Sequence, residues 1–367
     1  MPRPPYPHHL DPCATTVRVA LVHKNFVGTG VTHVGLGISA GYTAKTLRER
    51  GPYTHGVWAE VWPAQSAKQI VERLRASNAA ADAQGMVRVS HVVIAAPWLE
   101  PADIEAMAGE FTEVVWVVQC HSNVGFLSAD PGAIRIMEGI ADLQRATHNV
   151  FTAGNARKFV DWATGDWGVH VVWLPNLYCL AETFPESVRQ PWDGHAPLKL
   201  GLFGAQRPLK NFVTGGAGAT ALQQRFRVPI ELHISSGRPE GDNGGALREM
   251  TKRKRDVKVV YTGWLQWPTF QRYLHGIDLV FQVSHTESFD NVAADAVAAG
   301  VPVVVSDAID WLPDRWQAKA DEPLDVLCVA EYLLRSPTAI HDGRRALKEY
   351  VDDGLMTWRR WLGAELS

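Results

Sequence analysis

The chain has 367 residues, 46% of them hydrophobic and 20% charged, with a formal net charge of −3. That is the make-up of an ordinary globular protein with room for two domains, and it excludes a global attraction to nucleic acid or an anionic membrane. Cys13, Cys120, Cys179 and Cys328 are too scattered for a zinc pattern and too few for a disulfide scaffold. No apolar run approaches the ~20 residues of a bilayer span, and the opening MPRPPYPHHLDPCATT carries no hydrophobic signal region. A cytoplasmic protein without integral membrane association is expected.

Residues 1–16 read as a disordered, proline-rich extension, in which the His8-His9 pair has no rigid frame for a metal. Residues 17–23, VRVALVH, form a short apolar run of the buried parallel-strand kind. A glycine-rich turn follows at 24–37, then a helical stretch ending at RERG. Gly28, Gly30, Gly35 and Gly37 do not match GxGxxG, so a dinucleotide fingerprint is absent, yet such a turn lets backbone approach a ligand closely. Helical patterns at 67–83 and 102–111 alternate with strands at 90–96 and 114–119, which predicts a parallel sheet covered on both faces. His121 stands just past VVWVVQC, at the carboxyl end of a strand, where open α/β sheets place ligands. Strands at 150–153 and 171–176 complete a first domain assigned to 17–184, and the proline-rich 185–197 is the expected linker.

The second half restarts with a strand at 199–205, KLGLFGA, followed by QRPLKN and a helix at 212–226. Arg207 and Lys210 thus fall in the turn between a first strand and its helix, a natural phosphate site in which a planar fork and a point charge can neutralise a diphosphate without a metal. A strand at 229–235 leads into the glycine-rich SSGRPEGDNGG and a helix from residue 246, closed by KRKR at 252–255. Those cations suit a helix C-terminus, and contact with nucleic-acid phosphate is the minority reading. A strand at 257–262 runs into GWLQWP, and one at 278–284 delivers the stretch 285–306, HTESFDNVAADAVAAGVPVVVS. There Glu287 precedes a small-residue helix with Ser288 as the expected N-cap, and Asp295 lies eight residues further on, a span of roughly 12 Å if both sit along one helix. An acid at the helix mouth, amides at its positive end and a second acid below suit a ligand built as hydroxylated ring, phosphates and hydroxylated ring. The second domain is assigned to 198–340. The tail 341–367, with Tyr350, Trp358 and Trp361, reads as an amphipathic helix.

The stretch 285–306 resembles the E-x7-E signature of retaining glycosyltransferases with the GT-B fold, family four especially, in which ESFG precedes a small-residue helix and GxPVV. Here the second acid is an aspartate and Asp290-Asn291 stands where the glycine is usual. The resemblance implies two Rossmann-like domains with parallel sheets facing across a cleft, and a C-terminal helix crossing back to the first. It also implies transfer of a sugar from a nucleotide sugar, UDP-linked for instance, to a hydroxyl, with retention and without metal or other cofactor. Arg207, Lys210, Glu287 and His121 become the catalytic group. Gly28, Gly30, Gly204, Trp264, Leu265, Ser284, Asn291, Val292 and Asp295 become the donor-binding set, with Trp264 and Leu265 framing the base. The acceptor remains open among a glycan, a small alcohol and a hydroxymethylated base in phage DNA, the last engaging KRKR, Arg225 and Arg227. A GT-B phosphorylase or epimerase lacks an evident pyridoxal lysine or free-phosphate site. A non-catalytic nucleotide-sugar or glycan-binding protein is the reading that Asp295 favours.

Overall fold

A computed structural model describes residues 17–25, 34–49, 56–128, 130–180, 192–237 and 243–364. Gly28, Gly30, the 1–16 extension and most of the 185–197 linker lie outside the described residues. The chain divides into two compact units. One comprises residues up to His121, Asp130–Tyr178 and the tail from Gly354; the other comprises Ser122–Ala129 and Cys179–Asp353.

In the first unit, β1 (Val17–Lys24), α1 (Val34–Glu49), β2 (Val57–Ala64), α2 (Ala67–Ala83), β3 (His91–Ala95), α3 (Pro101–Glu110) and β4 (Val115–Cys120) alternate. The alternation continues after the short α4 (Val124–Leu127) of the other unit, with α5 (Pro131–Ala146), β5 (Val150–Gly154), α6 (Arg157–Trp167) and β6 (Val172–Trp173). The six strands pair in parallel in the order β2-β1-β3-β4-β5-β6. Their β-branched runs are buried on both faces because helices cover both, which is why the strands read as continuous apolar segments and not as alternations. β2, whose VWAEVWPA does alternate, is one of the two edge strands.

The second unit carries β7 (Leu198–Leu202), α7 (Phe212–Phe226), β8 (Ile230–Ser235), α8 (Asn243–Thr251) and β9 (Val257–Gly263). These are followed by α9 (Trp267–Leu274), β10 (Leu279–Gln282), α10 (Asn291–Ala298), β11 (Val303–Val305) and α11 (Pro323–Arg335). Its sheet is also parallel, in the order β11-β10-β7-β8-β9. From β7 the chain winds outward to β9, then returns to the other side of β7 to lay down β10. β7 and β10 are thus neighbours at the point where the strand order reverses, the position at which doubly wound sheets bind ligands. α7 packs close enough that a Cβ on Gly215 would come within 2.7 Å of Leu202 Cδ2, and one on Gly218 would collide with Val326 Cγ1.

α12 (Ala339–Trp361) is the longest helix among the described residues. Its residues through Asp353 group with the second unit, and those from Gly354 with the first. Leu355, Trp358 and Leu362 enter the same core cluster as Val19, Val93 and Val117, and Trp358 Nε1 donates to the Pro175 carbonyl at 2.8 Å. No helix among the described residues is long and apolar enough to cross a membrane.

Candidate functional site

The carboxyl ends of β7 and β10 bring together Gly204, Ser284, Asn291 and Val292 of the expected donor-binding residues, with Lys210 and Glu287 beside them. After β7 the chain turns at Gly204, whose φ of 106° only glycine adopts readily, and enters a 3-10 turn at Pro208–Lys210. Asn211 ends that turn in the left-handed conformation, and its Nδ2 donates to the carbonyls of Val283 and Ala320 at 3.0 and 2.6 Å. The His285 amide donates to the Leu209 carbonyl at 2.9 Å. These bonds join the turn carrying Lys210 to the loop carrying Glu287, although the two are far apart in sequence.

The loop after β10 is pinned at its centre. Phe289 is buried, stacks on Tyr350 with centroids 5.1 Å apart, and accepts at its carbonyl from Trp311 Nε1 at 2.7 Å. Beneath it, the Ser306 hydroxyl donates to the Ser284 carbonyl at 2.5 Å. Glu287 and Asp290, on either side of buried Phe289, both reach the Lys210 ammonium, at 2.5 and 3.0 Å. Burial alone would lower the Lys210 pKa, but Asp290 and Glu287 outweigh it and hold the cation well above its usual range. Glu287 is pushed up, first by burial and then by Asp290, against the opposing pull of Lys210. The fully buried Ser284 hydroxyl lies near enough to favour the Glu287 anion slightly, without a hydrogen bond of ordinary geometry.

The expected N-cap at Ser288 is displaced. α10 starts at Asn291, and Asp290 caps it, with Oδ1 accepting from the Ala293 amide at 3.0 Å. Asp290 does so at φ 61°, a left-handed conformation that short polar side chains tolerate better than others. Glu287 precedes the helix, as expected, but by four residues, so the two turns counted along one helix do not describe its separation from Asp295. Asn291 and Val292 occupy the first turn and are half-exposed, while the residues that follow are buried. A Cβ on Gly204 would lie 3.8 Å from Val292 Cγ2 and 3.9 Å from Lys210 Cε, so this glycine borders the same place.

Asp295 is only 4% exposed, and its Oδ1 accepts from Trp267 Nε1 at 3.2 Å and Gln271 Nε2 at 2.5 Å, both from α9. Its carboxylate thus joins α10 to α9. Trp264 is 36% exposed and Leu265 half-buried in the loop after β9. A Cβ on Gly237 would come within 2.6 Å of the Trp264 amide nitrogen, so the loops after β8 and β9 lie backbone to backbone.

Ser122–Ala129 groups with this unit, a placement that sequence reading missed. Asn123 caps α4 and its Nδ2 donates to the Glu287 carbonyl at 3.4 Å. A Cβ on Gly125 would touch Thr286 at 3.2 Å. The Arg207 guanidinium lies over the Phe126 ring, 5.4 Å from its centroid. No motif marks SNVGFL as belonging with the second unit; its immediate succession to His121 was the only available signal.

His121 belongs to the first unit, beside a small cavity at the carboxyl ends of its strands lined by Ser39, Thr43, Gln119, Asn176 and Trp358. Gln119 donates its Nε2 to the Leu174 carbonyl, leaving Oε1 to accept from His121 Nε2 at 2.9 Å. That assignment places the imidazole proton on Nε2 and leaves Nδ1 facing Asn155 Nδ2 at 3.5 Å. Burial lowers its pKa to about 4, so the ring is neutral at physiological pH. Among the described residues, no group of three or more His, Cys, Asp and Glu side chains is arranged to hold a metal ion.

Residues 216–322, which include Glu287, α10 and Asp295, match the family model described as glycosyl transferases group 1. No curated protein matches the chain by sequence. Among solved structures, the N-terminal domain of trehalose-6-phosphate phosphatase from Candida albicans is similar at a TM-score of 0.64 and 9% identity, over 96% of this chain and 98% of that one. Sucrose-phosphate synthase from Thermosynechococcus elongatus is similar at 0.59 and 14%, over 95% and 100%. A mutant of S. aureus TarM in complex with fondaparinux, alpha-GlcNAc-glycerol and UDP is similar at 0.53 and 14%, over 74% of this chain and 55% of that one. This chain therefore spans about half the length of TarM. The two parallel sheets and these likenesses give the fold as that of the GT-B glycosyltransferases.

Proposed function

We propose that the protein is a metal-independent, retaining glycosyltransferase of the family-four type, moving a sugar from a nucleotide sugar to an acceptor hydroxyl. The observation that carries this is the Lys210 ammonium at the start of α10, held beside Glu287, within a unit whose core matches a glycosyltransferase family model. In this reading Arg207, Lys210 and the first amides of α10, at Asn291 and Val292, take the diphosphate. Glu287 holds sugar hydroxyls, Trp264 and Leu265 flank the base, and Asp295 serves the ribose. The acceptor belongs to the first unit, whose neutral His121 is the catalytic candidate there. The anomeric carbon–phosphate oxygen bond breaks as the acceptor oxygen–carbon bond forms, and the acceptor proton passes to the departing phosphate. Positioning and charge stabilisation supply the rate, with no side-chain nucleophile. UDP is the favoured nucleotide because TarM was solved with it.

The test is turnover of UDP-, GDP- and ADP-sugars with glycans, small alcohols and hydroxymethylated duplex DNA side by side, in EDTA, with the product anomer read by NMR. Strict dependence on manganese or magnesium, or an inverted product, would refute the mechanism. Arg207→Ala should lower turnover by about 10²-fold or more; near-normal rates would remove it from the phosphate site. A second reading, a nucleotide-sugar binder without turnover, is favoured by one observation: Trp267 and Gln271 already engage the Asp295 carboxylate. A binder would retain labelled nucleotide sugar indefinitely without consuming it.

A further inference from the structure

Asp290 does more at the start of α10 than a helix cap requires. A cap needs one acceptor oxygen, which Asn or Ser supplies without charge. Here Oδ1 accepts from the Ala293 amide at 3.0 Å, while Oδ2 reaches across to the Lys210 ammonium at 3.0 Å from a side chain with no exposed surface. Glu287 already holds that ammonium at 2.5 Å. With both carboxyls ionised, Lys210, Glu287 and Asp290 sum to one net negative charge at the place where the donor reading brings two phosphates. The backbone there, at φ 61°, is costly for most side chains. A charged aspartate in so constrained a position, with one oxygen on the helix and the other on the cation, is a feature to which a function can be assigned.

Resting on the donor-site reading above, we propose that Asp290 is a built-in competitor for Lys210, weakening the grip on the nucleoside diphosphate so that the product leaves after transfer. While the site is empty, the ammonium is shared by Glu287 and Asp290. A bound diphosphate takes the place of the Asp290 oxygen as Lys210's partner. The helix cap keeps the Asp290 carboxylate at hand, and the ammonium returns to it when the diphosphate departs. Asp290 acts through Lys210 and needs no contact with the sugar.

The test compares the full chain with Asp290→Asn and Asp290→Gly, using UDP as the calorimetric probe, with GDP and ADP beside it, at low and high salt. Asparagine keeps the cap and tolerates the left-handed backbone; glycine fits the backbone and loses the cap. Both remove the charge. Both should bind the nucleoside diphosphate about tenfold tighter at low salt, with the gain shrinking as salt rises. Both should also lower kcat together with KM, as slower product release requires. A merely structural Asp290 would instead separate the two variants, following their different thermal stabilities. Unchanged or weaker binding in Asp290→Asn, with Lys210→Met abolishing binding, overturns this inference and leaves the donor reading standing. Absence of binding by wild type and all variants overturns the donor reading, and this inference with it.

Discussion

Replacing Lys210 by methionine keeps the aliphatic stem and removes the charge that Glu287 and Asp290 share at 2.5 and 3.0 Å. Two carboxylates, Asp290 fully buried and Glu287 mostly so, are then left without their shared cation. Breaking a buried pair from one side costs about 3–5 kcal/mol, a large part of the ~5–15 kcal/mol that holds a typical domain folded. The loss should depend on pH, and its sign follows from Glu287. Burial and Asp290 already push that carboxyl above its usual 4.5, and removing Lys210, which opposes them, pushes it further. An acid whose folded pKa exceeds its unfolded value contributes stability below the unfolded value and loses it as pH rises through the folded one. The deficit of the variant should therefore be small below the usual carboxyl value of 4.5 and grow as pH rises through the raised Glu287 value. The Lys210 contribution in wild type is fully present below 10.5, so wild type adds no opposing slope from this residue across that window. Urea unfolding at several pH values, with hydrogen exchange on residues 279–298 to localise the change, measures it. Lys210→Met/Glu287→Gln should recover part of the loss, because the second change removes one stranded charge. A deficit under ~1 kcal/mol, or one independent of pH, would refute the argument that Lys210 neutralises a buried carboxylate pair.

Asp295→Ala removes the carboxylate that accepts from the Trp267 indole and the Gln271 amide and should cost about 1–3 kcal/mol by urea unfolding. Trp358→Ala should destabilise the first unit by about 3–5 kcal/mol, through a cavity in its core and the lost bond to the Pro175 carbonyl, as read by hydrogen exchange on β1 and β3. His91 and His121 are both lowered to about 4 by burial, so their contribution is present above 6.5 and is lost as pH falls through about 4. Allowing for partial exposure, each should account for about 1–2 kcal/mol of acid sensitivity in the first unit. His91→Phe should flatten that slope in a denaturation series between pH 7 and 4.

Sequence alone determined the parts of this protein that depend on local pattern. Apolar runs bounded by helical periodicity are the signature of parallel strands covered on both faces, and β1, β3, β4, β8 and β10 lie where that pattern places them. Arg207, Lys210, Glu287 and Asp295 could be singled out because strand-end turns and small-residue helices leave recognisable residue types behind. What the tertiary structure decided is who partners whom. Nothing local distinguishes Asp290 from Ser288 as the cap of α10; the choice follows from a left-handed backbone that also lets the second Asp290 oxygen reach Lys210, 80 residues away. Nothing in HSNVGFL announces that Phe126 will lie under Arg207 or that Asn123 will hold the Glu287 carbonyl. Nor does Asp295 announce that its carboxylate will meet α9. Such pairings are set when the loops of β7 and β10, adjacent in the sheet and distant in the chain, come to the same edge, and a pattern of a few residues cannot encode a distance that only the folded sheet creates.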